Sequence, residues 1–98
     1  MYIIYGSCEW DSAKAKSKLA DHNVSFELAT EIFDGPRLDL LDTREDDGED
    51  RVMSFGEVEG RCMAVGHTPR GDKTRIFTAR KATASEQIAY YKEIYGEA

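Results

Sequence analysis

Arg70, Arg75 and Arg80 recur at intervals of five residues, and with Arg61, Lys73 and Lys81 they make residues 61–81 a basic stretch broken by one acid, Asp72. A guanidinium stays ionised at physiological pH, and its planar fork can hold two oxygens of a phosphate at once. The stretch is therefore where an anion would be held. A second group gathers at Trp10, Asp11 and Lys14. Its ring can stack or anchor a core, its carboxylate can cap a helix or move a proton, and its ammonium can meet a phosphate. His22 and His67 are the side chains whose unperturbed pKa suits proton transfer near neutrality. Cys8 and Cys62 stand far apart, with no CxxC pair and no histidines at metal spacing. They read as buried or incidental thiols, and no metal or cofactor is expected.

These side chains act together only if the elements carrying them converge. Tyr2 to Tyr5 is a short β-like run ended by Gly6-Ser7. Asp11-Ser12 then supplies capping side chains ahead of an alanine- and lysine-rich helix to about His22, where Asn23 can stop it. Ser25 is a second cap, and Phe26, Ala29, Ile32 and Phe33 recur at the spacing of a short amphipathic helix, broken at Asp34-Gly35-Pro36. From Arg37 the pattern changes to β-like runs at 37–42, 51–58, 61–68 and 73–80, a meander with tight turns at Glu59-Gly60 and Arg70-Gly71-Asp72. Thr83 and Glu86 form a capping box for a last helix with Ile88, Tyr91 and Ile94 or Tyr95 on one stripe. The predicted architecture is α+β: a single antiparallel β-sheet meander with two N-terminal helices and a C-terminal helix, packed mainly on one face. In a regular strand Arg75 and Arg80 point to opposite faces, and they share a site only if a bulge intervenes.

The chain has 98 residues and a formal charge of -6, with 41% hydrophobic residues, enough for one modest core over residues 1–98. The average charge conceals a division. Residues 27–60 carry twelve acids against three bases, whereas residues 61–81 carry six bases against one acid. A screening length of about 8 Å lets such a basic surface act locally on an anionic molecule. The acidic run at 43–50 reads as an exposed loop, or as a dock for a basic segment of a partner. No run approaches the length of a membrane span and the opening residues lack the pattern of a signal peptide, so a cytoplasmic protein is expected.

Glu9-Trp10-Asp11, Lys14-Ala15, Leu19, His22, Val24-Ser25-Phe26-Glu27, Ala29, Phe33 and Pro36 occur in an order that resembles the BrnT family of toxins. Glu49, Arg51, Gly56, Gly60-Arg61, Val65, His67-Thr68, Arg70, Arg75-Ile76, Ala79-Arg80, Ala82-Thr83 and Glu86 continue it, so the likeness covers about residues 9–91. The resemblance implies a fold similar to the RelE ribonuclease toxins and RNA as the substrate. It also implies a BrnA-like ribbon-helix-helix antitoxin as partner, DNA being met only through that antitoxin and no membrane being involved. The chain departs from the family at Asp21 and Asn23 around His22, at Pro69, and at Phe77-Thr78, where the family usually has Ile-Ser.

Metal-independent RNA cleavage needs a base for the 2′-hydroxyl, positive charge on the phosphorane-like transition state and an acid for the leaving oxygen. By resemblance and position, Arg70 and Arg80 with Lys14, Asp11 and His22 are the candidate catalytic residues. Trp10, Arg75 and Lys81 are the candidate RNA contacts. Each has a structural alternative: Asp11 as a helix cap, His22 as a C-terminal cap, Trp10 as a buried anchor, the arginines in salt bridges. Tyr90 or Tyr91 is a further candidate for proton transfer. Three functions stay open: a ribonuclease toxin, a binding module of the same fold without catalysis, and an unrelated acidic scaffold.

Overall fold

The computed structural model describes residues 1–42 and 50–96. Most of the acidic run, residues 43–49, lies outside the described residues. Strand β1 (Tyr2–Tyr5) does not end the first sheet segment: Gly6, at φ +61°, turns the chain back as β2 (Cys8–Asp11), with Tyr2 opposite Asp11 and Tyr5 opposite Cys8. The expected single strand is thus a hairpin. Asp11 caps helix α1 (Ser12–His22) by accepting from the Ala13 amide at 3.2 Å, and Asn23 closes it at φ 58°. Ser25 caps α2 (Phe26–Ala29), which tightens into a 3-10 turn over Thr30–Asp34 that keeps Ile32 buried. Strands β3 (Arg37–Asp42), β4 (Arg51–Val58), β5 (Arg61–Arg70) and β6 (Lys73–Lys81) follow, and α3 (Ala84–Tyr95) opens on the Thr83–Glu86 capping box. No described helix is long and apolar enough to cross a membrane.

The six strands form one sheet in the order β1-β2-β6-β5-β4-β3. Strands β3 to β6 make the expected antiparallel meander. Strand β2, however, joins β6 in parallel, with Cys8 opposite Thr74 and Glu9 opposite Arg75, so the sheet is mixed and not wholly antiparallel. That pairing joins segments more than sixty residues apart, and no local pattern announces it.

Alternation along β5 divides the core. Met63 and Val65 face Trp10, Phe26, Ala29, Ile32, Ile76 and Ala79, on the side of α1 and α2. Cys62 and Ala64 face Phe55, Ala82 and Tyr90, on the side of α3. The helices therefore cover both faces, which corrects the expectation of one. The stripe of α3 is rotated from the expected one as well: Ile88 is 59% exposed, while Tyr90 is buried, with Tyr91 and Ile94 packed beside it. The Gln87 amide donates to the Ala82 carbonyl at 3.1 Å and fixes this rotation.

One irregularity reorganises β6. Val65 pairs with Ala79 and Gly66 with Thr78, but His67 pairs with Ile76, so Phe77 is an extra residue in the ladder. A bulge of this kind reverses the parity of everything beyond it. Ile76 and Ala79, three residues apart, both reach the first core. Arg75 and Arg80, five apart, consequently both project from the second face.

Candidate functional site

On the second face, register sets the side chains in transverse rows. The first row runs through the paired positions Asp42 and Arg51, then Thr68, Arg75 and Glu9. The second comprises Leu40, Met53, Gly66 and Thr78, with the Phe77 ring beside them. The third comprises Leu38, Phe55, Ala64 and Arg80, where α3 begins. Arg70 and its partner Lys73 extend the face toward the β5–β6 turn. A shallow depression of about 360 Å³ opens over part of it, lined by Leu40, Leu41, Asp42, Met53, Phe55, Arg80 and Glu86. Arginines thus border an apolar floor.

Two of these arginines are oriented by carboxylates. Arg75 donates through Nε at 2.8 Å and Nη2 at 2.5 Å to one oxygen of Glu9, and its guanidinium lies 4.3 Å from the centroid of the Tyr2 ring. Arg80 meets Glu86 fork to fork, Nη1 to Oε1 at 2.7 Å and Nη2 to Oε2 at 3.0 Å. The same Oε1 accepts from the Thr83 amide at 2.8 Å, so Arg80 is tied to the first turn of α3. Hydrogen bonding from Arg80 is the main reason that the Glu86 carboxyl is pulled down to about 2, and it stays ionised throughout the neutral range. Arg51 lies over Phe77, 5.3 Å from the ring centroid.

The remaining candidates lie elsewhere. The Trp10 ring is wholly buried, edge to face against Phe26, and offers no exposed face to a base. His22 uses Nδ1 to reach the Ala79 carbonyl at 3.1 Å and ties the end of α1 to β6 from the first face. Lys14 is exposed on α1, which packs on that same face, and Lys81 is exposed opposite Met63, a first-face position. Asp11 is occupied as a cap. Arg70 is half-buried at the end of β5 and donates to the Pro69 carbonyl at 3.3 Å. Of the eight candidates, Arg70, Arg75 and Arg80 share the second face. Arg51, Glu9 and Phe77 were missed as members of it. The signal available in sequence was the three-residue spacing of the apolar Ile76 and Ala79, which breaks a two-residue period.

His67 belongs to a separate network. It meets the Ser54 hydroxyl through Nε2 at 2.7 Å, and Ser54 donates to Asp39 at 2.5 Å. A hydroxyl has one proton, which goes to Asp39, so the imidazole carries its own proton on Nε2 and donates it to Ser54. Burial lowers the His67 pKa, against an opposing pull from Asp39. Serine, histidine and aspartate here do not form a nucleophilic triad. Ser54 lies between the other two and is wholly buried, so its oxygen meets no substrate. Tyr90 is also engaged internally, its hydroxyl donating to the Pro36 carbonyl at 3.4 Å, and burial pushes it up to about 12.

The fold is thus an α+β protein with a mixed sheet, one face of which carries oriented arginines around an apolar floor, side chains whose chemistry suits an anion. The family model described as "Ribonuclease toxin, BrnT, of type II toxin-antitoxin system" matches residues 10–86, and the chain belongs to that family of type II ribonuclease toxins. The match reaches from the buried Trp10 to the Glu86 that holds Arg80. Membership of a type II system implies an antitoxin partner. No individual curated protein matches the chain.

Proposed function

We propose that residues 1–98 act as one toxin domain, a metal-independent endoribonuclease whose second sheet face binds and cleaves RNA. A BrnA-like ribbon-helix-helix antitoxin holds it in check and carries any contact with DNA. The observation behind this reading is the bulge at Phe77, which brings Arg75 and Arg80 to one face together with Arg51. In the reaction, a base takes the 2′-hydroxyl proton, O2′ bonds to phosphorus and the P–O5′ bond breaks, the leaving O5′ taking a proton from solvent water. The products are a 2′,3′-cyclic phosphate and a 5′-hydroxyl. Arg75 holds the non-bridging oxygens of the scissile phosphate as negative charge grows on them, and Arg80 holds a neighbouring phosphate and so places the strand. Glu9, the carboxylate that meets Arg75 at 2.8 Å, is assigned as the proton acceptor by its place beside that arginine. Arg70 extends the phosphate track, while Lys14 and Lys81 are outlying contacts. Asp11, His22 and Trp10 serve the fold that holds the arginines.

Incubating antitoxin-free protein with RNA in the presence of EDTA is expected to release fragments ending in 2′,3′-cyclic phosphate. Replacing Arg75 or Arg80 by Ala should each slow cleavage by about 100-fold or more. RNA left intact by the wild type would reject the catalytic reading.

A second reading, a module that binds its partner without cleaving RNA, draws on one observation: both imidazoles are hydrogen-bonded away from the arginine face. Growth arrest on expression without the antitoxin, lost in Arg80→Ala, would exclude it.

A further inference from the structure

The bulge that unites the arginines also sets an aromatic ring among them. Phe77 and Thr78 are consecutive, yet both approach Gly66 on the second face. A Cβ at Gly66 would stand 2.8 Å from Cε1 and Cζ of the Phe77 ring and 2.7 Å from Cγ2 of Thr78. The ring therefore occupies a seat that only a glycine leaves open. The Arg51 guanidinium lies over it, 5.3 Å from the centroid. Phe77 is half-buried and belongs to neither cluster of buried residues. Ring and guanidinium lie together on the second face of the sheet. Along β6 they lie between Arg75 and Arg80, which are separated by four ladder steps, about 13 Å at roughly 3.3 Å per step.

Flat π surfaces and guanidinium planes are the surfaces on which unpaired bases stack, and stacking does not depend on a base's hydrogen-bonding edge. We propose that Phe77 and Arg51 form a stacking subsite for one nucleobase of a single RNA strand, with phosphates on either side held by Arg75 and Arg80. The inference rests on the assignment of this face to RNA. It gives that face a position at which the presence of a base, and not phosphate charge alone, decides affinity.

The test uses full-length protein and fluorescent 2′-O-methylated RNA, which lacks the attacking hydroxyl, with an abasic site moved along the strand. The wild type is expected to lose about 5- to 100-fold in affinity when one particular base is absent. Phe77→Leu should bind the intact strand more weakly by a similar factor and respond evenly to every abasic site, whereas Phe77→Tyr should follow the wild type. If Phe77→Leu melts well below the wild type, Arg51→Met probes the same seat and should blunt the response. An abasic profile in folded Phe77→Leu or Arg51→Met that matches the wild type overturns the subsite. So does a wild type that binds tightly with an even profile, leaving the RNA-binding assignment standing. A wild type that binds no RNA overturns both.

Discussion

Arg80 and Glu86 hold one another through two parallel hydrogen bonds, and the same carboxylate caps α3. Protonating Glu86 therefore weakens the ion pair and the cap together. Its folded pKa lies below the unfolded value of 4.5, so the unfolded chain binds more protons in the window between 4.5 and about 2. The contribution of Glu86 to stability is fully present above that window and is lost as pH falls through it. We expect Tm to fall between pH 5 and 2, less steeply in Glu86→Gln; equal slopes measured by thermal melting would contradict the coupling. His67 offers a second residue-scale prediction. Imidazole ¹⁵N spectra at pH 7 should show the neutral ring with its proton on Nε2, titrating below the ordinary 6.5, because burial disfavours the charged form. A proton on Nδ1 would contradict the donor order assigned to Ser54.

At the scale of elements, the glycine facing the bulge carries the sharpest prediction. Gly66→Ala forces a methyl into the Phe77 ring and Thr78, and should destabilise the fold by about 1–3 kcal/mol in denaturant unfolding. Gly35 meets nothing within 4 Å of an added Cβ, so Gly35→Ala should stay within about 0.5 kcal/mol. Comparable values for the two would mean that Gly66 has no special role. The caps at Asp11, Ser25 and Thr83, and the left-handed stop at Asn23, were legible in the sequence because each is decided within four residues. Strands β3 and β4 fall where their apolar runs place them. The β2–β6 pairing was hidden because its partners are far apart in the chain. The rotation of α3 was hidden because its apolar positions form a broad arc, and packing against Phe55 and Cys62 selected Tyr90 from within it. As for the site, the arginines were legible by type and their convergence was not. One unpaired residue, Phe77, decides which face Arg80 joins.

For the whole molecule, a charge of -6 and a face built from arginines are compatible because charge acts over a screening length and not over the chain average. Arg75 and Arg80 each carry a carboxylate partner, so a phosphate competes with Glu9 and Glu86 and does not meet a bare cation. Affinity for RNA should accordingly depend steeply on salt. Binding of 2′-O-methylated RNA, measured from 50 to 200 mM salt for the wild type, Arg75→Gln, Arg80→Gln and the double variant, tests most directly whether the bulge makes one face of these residues. Each single replacement should lower the slope of log affinity against log salt by about 0.7, and the double replacement by about 1.4, one single-strand phosphate contact apiece. A slope unchanged in Arg75→Gln but lowered in Arg80→Gln would put the two arginines on different surfaces as far as RNA is concerned, and would contradict the account.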